Sequence, residues 1–498
     1  MIRPRRTVFR AAVVPAAALF FLSACNPQAT LTRKRIKAVE RGLMRVVYLK
    51  GLRPEKLTLA ERLAFLKVPA VSIAAIDRNG IEWARAYGEK DAKTRTPPTP
   101  DTVFQGGAFS QMMTSAAALR LAERGAIGLD APLGRILKDA LPHPAGGKPE
   151  PDRALTLRAL LTHSAGLSDQ VFSGYAQDEP IPSLDRILRG EPPANNVPPW
   201  YPPARPPISR FQYSESGYVF AQKALEVLTG KAFPGLMAEE VFAPLGLTDS
   251  AFAVPLSDDL RARAASGHLR PGPPVMGLWH SYPEAAAKGL WTTPSDFAAF
   301  LCDLLRSATG AGGGRLLSPE MARIMLGPQV ENAGFGFLVE GRGDDVVYTL
   351  RGQTLGYGCA MVLYPAKGQG AVVMTNSDNG ALVIQEIFCA FSEAYQWPHF
   401  KPEEKAILRL APETYAGFEG RYEVNPSYVL DVRREGYYLV IQPTGQAATK
   451  FYAEGQTLFY STDPYIRIQF FSDKKGRFDT LVLWQQDLEL EAKKIQRP

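Results

Sequence analysis

The serines of this chain are candidates for covalent chemistry. A serine attacks a carbonyl only when a neighbouring base takes its proton, and on a helix the side chain three residues on shares its face. Ser110 has Met113 in that place and Ser115 has Ala118, and neither is a base. The one Ser-x-x-Lys, Ser472-Asp-Lys-Lys475, falls on an expected hairpin turn beside Gly476 and reads as chance. The five histidines are scattered with no two at ligand spacing, so neither a metal nor a cofactor is expected. Cys302, Cys359 and Cys389 sit at no metal-ligand spacing, with Cys302 and Cys389 in apolar helical runs, and read as buried small hydrophobes. Cys25 is different, because Leu22-Ser-Ala-Cys25 closes a short apolar run.

That run makes residues 1–24 a targeting signal. Arg3, Arg5, Arg6 and Arg10 form a positive start, and Ala11 to Leu22 is too short to span a bilayer, which needs about 20 residues. The ending resembles the lipobox of bacterial lipoproteins. It implies an acylated Cys25 as first mature residue and a place in the cell envelope on the periplasmic side. Asn26 is not the aspartate that retains such proteins at the inner membrane, which tilts the expectation to the outer one. The net charge of +7 carries four charges from those arginines, and no basic stripe interleaved with aromatics follows, so nucleic acid is set aside.

The rest of the chain must position a site. Residues 25–57 form a basic linker. Within it, 33–56 hold nine Lys/Arg against two acids, with apolar residues at near-helical spacing. Such a segment could lie on anionic lipid, and a solvated linker helix reads the same way. Val68–Ile76 and Ile81–Tyr87 flank Asp77-Arg-Asn-Gly80 as a hairpin. A helix is expected at 108–125. Eight prolines in 192–207 exclude helix and central strand and leave an extended loop. Strand-like runs at 334–340, 346–350, 359–364 and 370–375 precede a helix at about 379–395. From 410 to 498, alternating runs punctuated by Glu435-Gly436, Glu454-Gly455 and Lys475-Gly476 predict a separate all-β, barrel-like domain.

Several segments then resemble one family in order. They are Asp101-Thr-Val-Phe-Gln-Gly-Gly107, Leu121–Asp130, Leu160-Leu-Thr-His-Ser-Ala-Gly-Leu167, Tyr213-Ser-Glu-Ser-Gly-Tyr218, Pro244-Leu-Gly-Leu247, Gly289-Leu-Trp-Thr-Thr-Pro-Ser-Asp296 and Val373-Met-Thr-Asn-Ser377. Together they are similar to the serine hydrolases that unite class C β-lactamases, penicillin-binding proteins and related esterases. The resemblance implies an α+β fold over 58–400, an antiparallel sheet with flanking helices and a helical insertion.

It also implies a serine at a helix start, a lysine three residues on, a tyrosine that shuttles the proton, and a Lys/His-x-Gly strand. The serine's own amide and one from that strand would hold the oxyanion. Laid on this chain, the serine is Ala108 and the lysine Gln111. The tyrosine survives as Tyr213, its partner two residues on is Glu215, and the strand motif is Leu350-Arg-Gly352. A methyl cannot be acylated and a carboxamide is not a base. Losing a serine nucleophile alone costs on the order of a million-fold in rate.

The expectation is a lipid-anchored pseudoenzyme that binds a wall peptide, a small ester or a partner protein. The competing reading is an active serine hydrolase of esterase, β-lactamase or peptidase type with a non-standard nucleophile. Two finer expectations follow: Glu215 pairs with Arg351 across the old cleft, and His163 is a scaffold residue remote from the chemistry.

Overall fold

The computed structural model describes residues 27–137, 155–167, 171–196, 210–270, 272–310, 312–485 and 488–495. Cys25, and residues 197–207 of the proline-rich stretch, lie outside them.

The hairpin forms as the two strand-like runs predict: strands β1 (Ala70–Asp77) and β2 (Gly80–Gly88) pair antiparallel. Its turn is displaced by one residue from the Asn-Gly reading. Asp77 pairs with Gly80, so the two turn residues are Arg78 and Asn79, both at positive φ (52° and 57°). That is the conformation a two-residue hairpin of matching twist requires. The Asn79 amide donates to the Gly368 carbonyl at 3.0 Å, which ties the turn to the next loop.

Strands β3 (Leu338–Glu340), β4 (Val347–Thr354), β5 (Tyr357–Tyr364) and β6 (Gln369–Thr375) complete a six-stranded antiparallel sheet of order β2-β1-β6-β5-β4-β3. Side chains alternate across it. Ala70, Ala74 and Ile76 of β1 enter one core, with helices α2 (Phe109–Glu123), α3 (Glu215–Thr229) and α4 (Pro294–Thr309). Val71, Ile73 and Ala75 enter the other, beneath helices α1 (Pro27–Glu40) and α5 (Gly380–Tyr395). Both faces are covered, which is why β1 and β5 read as nearly continuous apolar runs.

The basic segment 33–56 is not one helix. α1 ends at Glu40, and Val47–Leu49 forms a short strand parallel to Glu403–Lys405. Gly42 follows the helix where a Cβ would lie 2.3 Å from the Ala38 carbonyl oxygen, so only glycine lets the chain turn off there.

Between Gly420 and Ile495 eight antiparallel strands close into a barrel. Leu430, Val432, Leu439, Ile441, Phe451 and Leu481 fill it, and Tyr415 and Phe418 of the helix Pro412–Phe418 pack into the same core. Arg62 ties this barrel to the sheet half. Its guanidinium, almost fully buried, donates to both Glu386 oxygens at 2.6 and 2.7 Å and to Asp463 Oδ1 at 2.6 Å. Arg45 Nε donates to Asp463 Oδ2 at 2.8 Å.

Candidate active-site cleft

Ala108 caps the start of α2 with no side-chain hydrogen bond. The edge of β4 runs against this point. A Cβ on Gly107 (φ +47°) would lie 2.7 Å from the Gln353 amide nitrogen, and one on Gly352 would lie 2.6 Å from the Ala108 amide nitrogen. Two glycines therefore let strand and helix start abut. The amides of residues 108 and 353 meet at that junction, where the resemblance places an oxyanion clamp. Leu350 is buried on the same strand, and Arg351 is exposed.

One turn along α2, Gln111 is buried, and its Nε2 donates to Tyr213 Oη at 2.9 Å. Tyr213 is 36 % exposed. The structure thus brings together Ala108, Gln111, Tyr213 and Gly352. The residues meeting there are a methyl, a carboxamide, a phenol and a backbone edge.

The other serines of α2 are committed elsewhere. Ser110 Oγ is buried and accepts from the Leu290 amide at 3.0 Å. Ser115 Oγ lies 3.0 Å from Tyr218 Oη, which donates to the Leu161 carbonyl at 2.6 Å. Ser472 and Lys475 belong to the end and turn of the β-hairpin Tyr465–Gln485, as the sequence indicates. The buried thiols of Cys302 and Cys389 are pushed up to about 12 by desolvation, which leaves them inert as nucleophiles.

Glu215 corrects one expectation. Its Oε1 pairs with Lys288 Nζ at 2.9 Å, and both side chains are about nine-tenths buried. Arg351 has no carboxylate within 4 Å among the described residues. Its strand position turns its side chain outward, while Glu215, the first residue of α3, points toward the short helical turn Ala285–Lys288.

His163 corrects another. It is not remote: its ring lies 4.7 Å from the Tyr213 ring, centroid to centroid, and its Nδ1 accepts from the Ser214 amide at 3.1 Å. The Gln212 amide donates to its carbonyl at 2.8 Å. Burial drops its imidazole to about 4, so it is neutral at ordinary pH. His163 holds the turn that presents Tyr213.

Sequence reasoning missed Lys288 and Glu284. Lys288 interrupts the apolar run Ala285-Ala-Ala just before Gly289-Leu-Trp, and that interruption was its one visible signal. Glu284 is fully buried, and neither carboxylate oxygen meets a hydrogen-bond donor among the described residues. Desolvation pushes it up to about 7, opposed by its own backbone amide and by Lys288 and reinforced by Glu215.

With this geometry in hand, a profile of the Beta-lactamase family matches residues 58–386. The chain belongs to that family. An uncharacterized protein of Mycobacterium tuberculosis is 30 % identical to this family member over 267 residues, covering 48 % of this chain and 62 % of that one. Penicillin-binding protein 4 of Amycolatopsis lactamdurans is 27 % identical over 245 residues, 48 % of this chain and 60 % of its own. The chain thus spans less than two thirds of the length of these relatives. The structure of an octameric penicillin-binding protein homologue from Pyrococcus abyssi superposes with a TM-score of 0.55 at 20 % identity, over 87 % of this chain and 98 % of that one. At that identity the likeness is one of fold, and it is the fold found here: a β-lactamase/transpeptidase-like half followed by a closed barrel.

Proposed function

We propose that this Beta-lactamase family member is a non-catalytic, ligand-binding protein of the cell envelope, tethered by an acylated Cys25. One observation carries the reading: where the family's chemistry needs a hydroxyl beside an amine, a buried carboxamide donates to Tyr213 and the helix start bears a methyl. Glutamine has no basic lone pair at ordinary pH, and the neighbouring serines are already hydrogen-bonded away from the junction. The close approach of helix start and strand at Gly107 and Gly352 supports a role for the amides at 108 and 353 in holding a carbonyl oxygen without an attacking group. That supports binding of an acyl compound, such as a wall peptide or small ester, without turnover.

The test is covalent labelling of the purified protein with a fluorophosphonate and with a penicillin, read by intact mass. No adduct is expected. A stoichiometric adduct on any serine makes the protein a working hydrolase and ends this proposal. Mass analysis of the protein extracted from its native membrane checks the anchor, with acylated Cys25 as the expected first residue.

A further inference from the structure

The outward face of α1 is cationic and unpaired. Its inward face is fully engaged: Ile36 and Val39 are buried, Arg35 bridges Asp77 at 3.1 Å and Glu82 at 3.0 Å, and Glu40 meets Arg85 at 2.9 Å. Opposite these, Lys34, Lys37 and Arg41 project on the far side, with Arg33 and Leu31 at its two borders. All four cations are exposed and none has a carboxylate within 4 Å among the described residues. Leu31, at the end nearest the N-terminus, is 41 % exposed.

We infer that this face of α1 docks on an anionic phospholipid surface. The charge pattern is the first argument. Arg35 and Arg78 already pair with Asp77 and Glu82 of the underlying hairpin, so the remaining cations are free for an external polyanion. Position along the chain is the second. One residue, Asn26, separates Cys25 from Pro27, a reach of about 7 Å, and Lys34 lies about 10 Å along the helix from its start. These distances are comparable to the screening length of about 8 Å in physiological salt. On the anchor proposed above, α1 lying along the bilayer would bring its cations within that length of the headgroups. The exposed Leu31 among the cations adds the apolar contact such helices use at the headgroup boundary.

The test removes the acyl chain so that it reads the surface alone. The mature chain from residue 25, carrying Cys25→Ser and retaining every described residue, is sedimented with vesicles. One set is pure phosphatidylcholine and the other contains phosphatidylglycerol. Binding to the anionic vesicles and not the neutral ones is expected, and salt should release it. A triple variant, Lys34→Glu/Lys37→Glu/Arg41→Glu, should keep its melting temperature and lose partitioning by on the order of a hundredfold. Equal partitioning to both vesicles, no binding to either, or full binding by the triple variant overturns the inference. So does tighter, salt-sensitive binding to DNA or heparin than to vesicles. The outcome is independent of whether native Cys25 is acylated, which the mass analysis above reads separately.

Discussion

Two buried ionic clusters in this molecule are built by opposite rules. At the joint between sheet and barrel, Arg62 spends its donors on Glu386 and Asp463, and Arg45 takes a further bond to Asp463, so each carboxylate oxygen there has a donor. Beside the cleft, Lys288 pairs with Glu215 while Glu284, equally buried, has both oxygens orphaned. Burying a charge is tolerable only when hydrogen bonds replace the water it loses. The first cluster meets that condition and acts as a fixed joint. The second does not, and it lies in the part of the fold where the alignment positions Ala108 and Gln111 depart from the family's chemistry.

The contrast can be broken from either side. Arg62→Ala strips four hydrogen bonds, the two to Glu386 fully buried, and leaves Glu386 uncompensated, and it should cost about 3–5 kcal/mol. Denaturant unfolding should show that loss, and a barrel that now melts apart from the sheet half would locate it at the joint.

Glu284→Gln should do the reverse at alkaline pH. In the unfolded chain this carboxyl ionises near its ordinary 4.5, and in the fold near 7. Below pH 4.5 both states hold the proton and stability is complete. As pH rises through 7 the unfolded state has already released its proton while the folded state must ionise in an apolar site, so stability falls. The difference amounts to about 3 kcal/mol by pH 8. The glutamine variant should therefore be more stable than the parent at pH 8 and indistinguishable near pH 4.5. Parallel pH–stability curves for the two proteins would mean that Glu284 already has a partner.

A smaller effect is expected at the neutral end of the cleft. Tyr213→Phe removes the acceptor of the Gln111 amide and should cost about 1 kcal/mol, measurable as a shift in the chemical denaturation midpoint. Smallest of all is the gain of function. Ala108→Ser with Gln111→Lys should yield at most slight ester or penicillin hydrolysis, because Leu350 still offers no polar group on the facing strand and Lys288–Glu215 keeps its charge beside the new site. Strong turnover by that double variant would show a cleft still organised for catalysis.

The fold was legible in large part. Strand-like runs flanking a turn announced β1 and β2, the α5 boundary fell within a residue of its reading, and the glycine-punctuated runs after residue 410 announced a barrel. These are local patterns with the periods of strand and helix. The one-residue displacement of the first turn was not legible, since Asn-Gly fits a two-residue loop by itself and only the pairing of Asp77 with Gly80 moves it.

In the site, the sequence by itself determined what is absent at the aligned positions: a hydroxyl at 108 and an amine at 111. Residue identity is enough to say that a methyl cannot be acylated. Only the tertiary structure decided which charges meet. Glu215 found Lys288, 73 residues on, and not Arg351, and His163 came to rest on Tyr213. Partners in a buried pair are chosen by how helices and loops pack across the core, and no spacing along the chain encodes that distance.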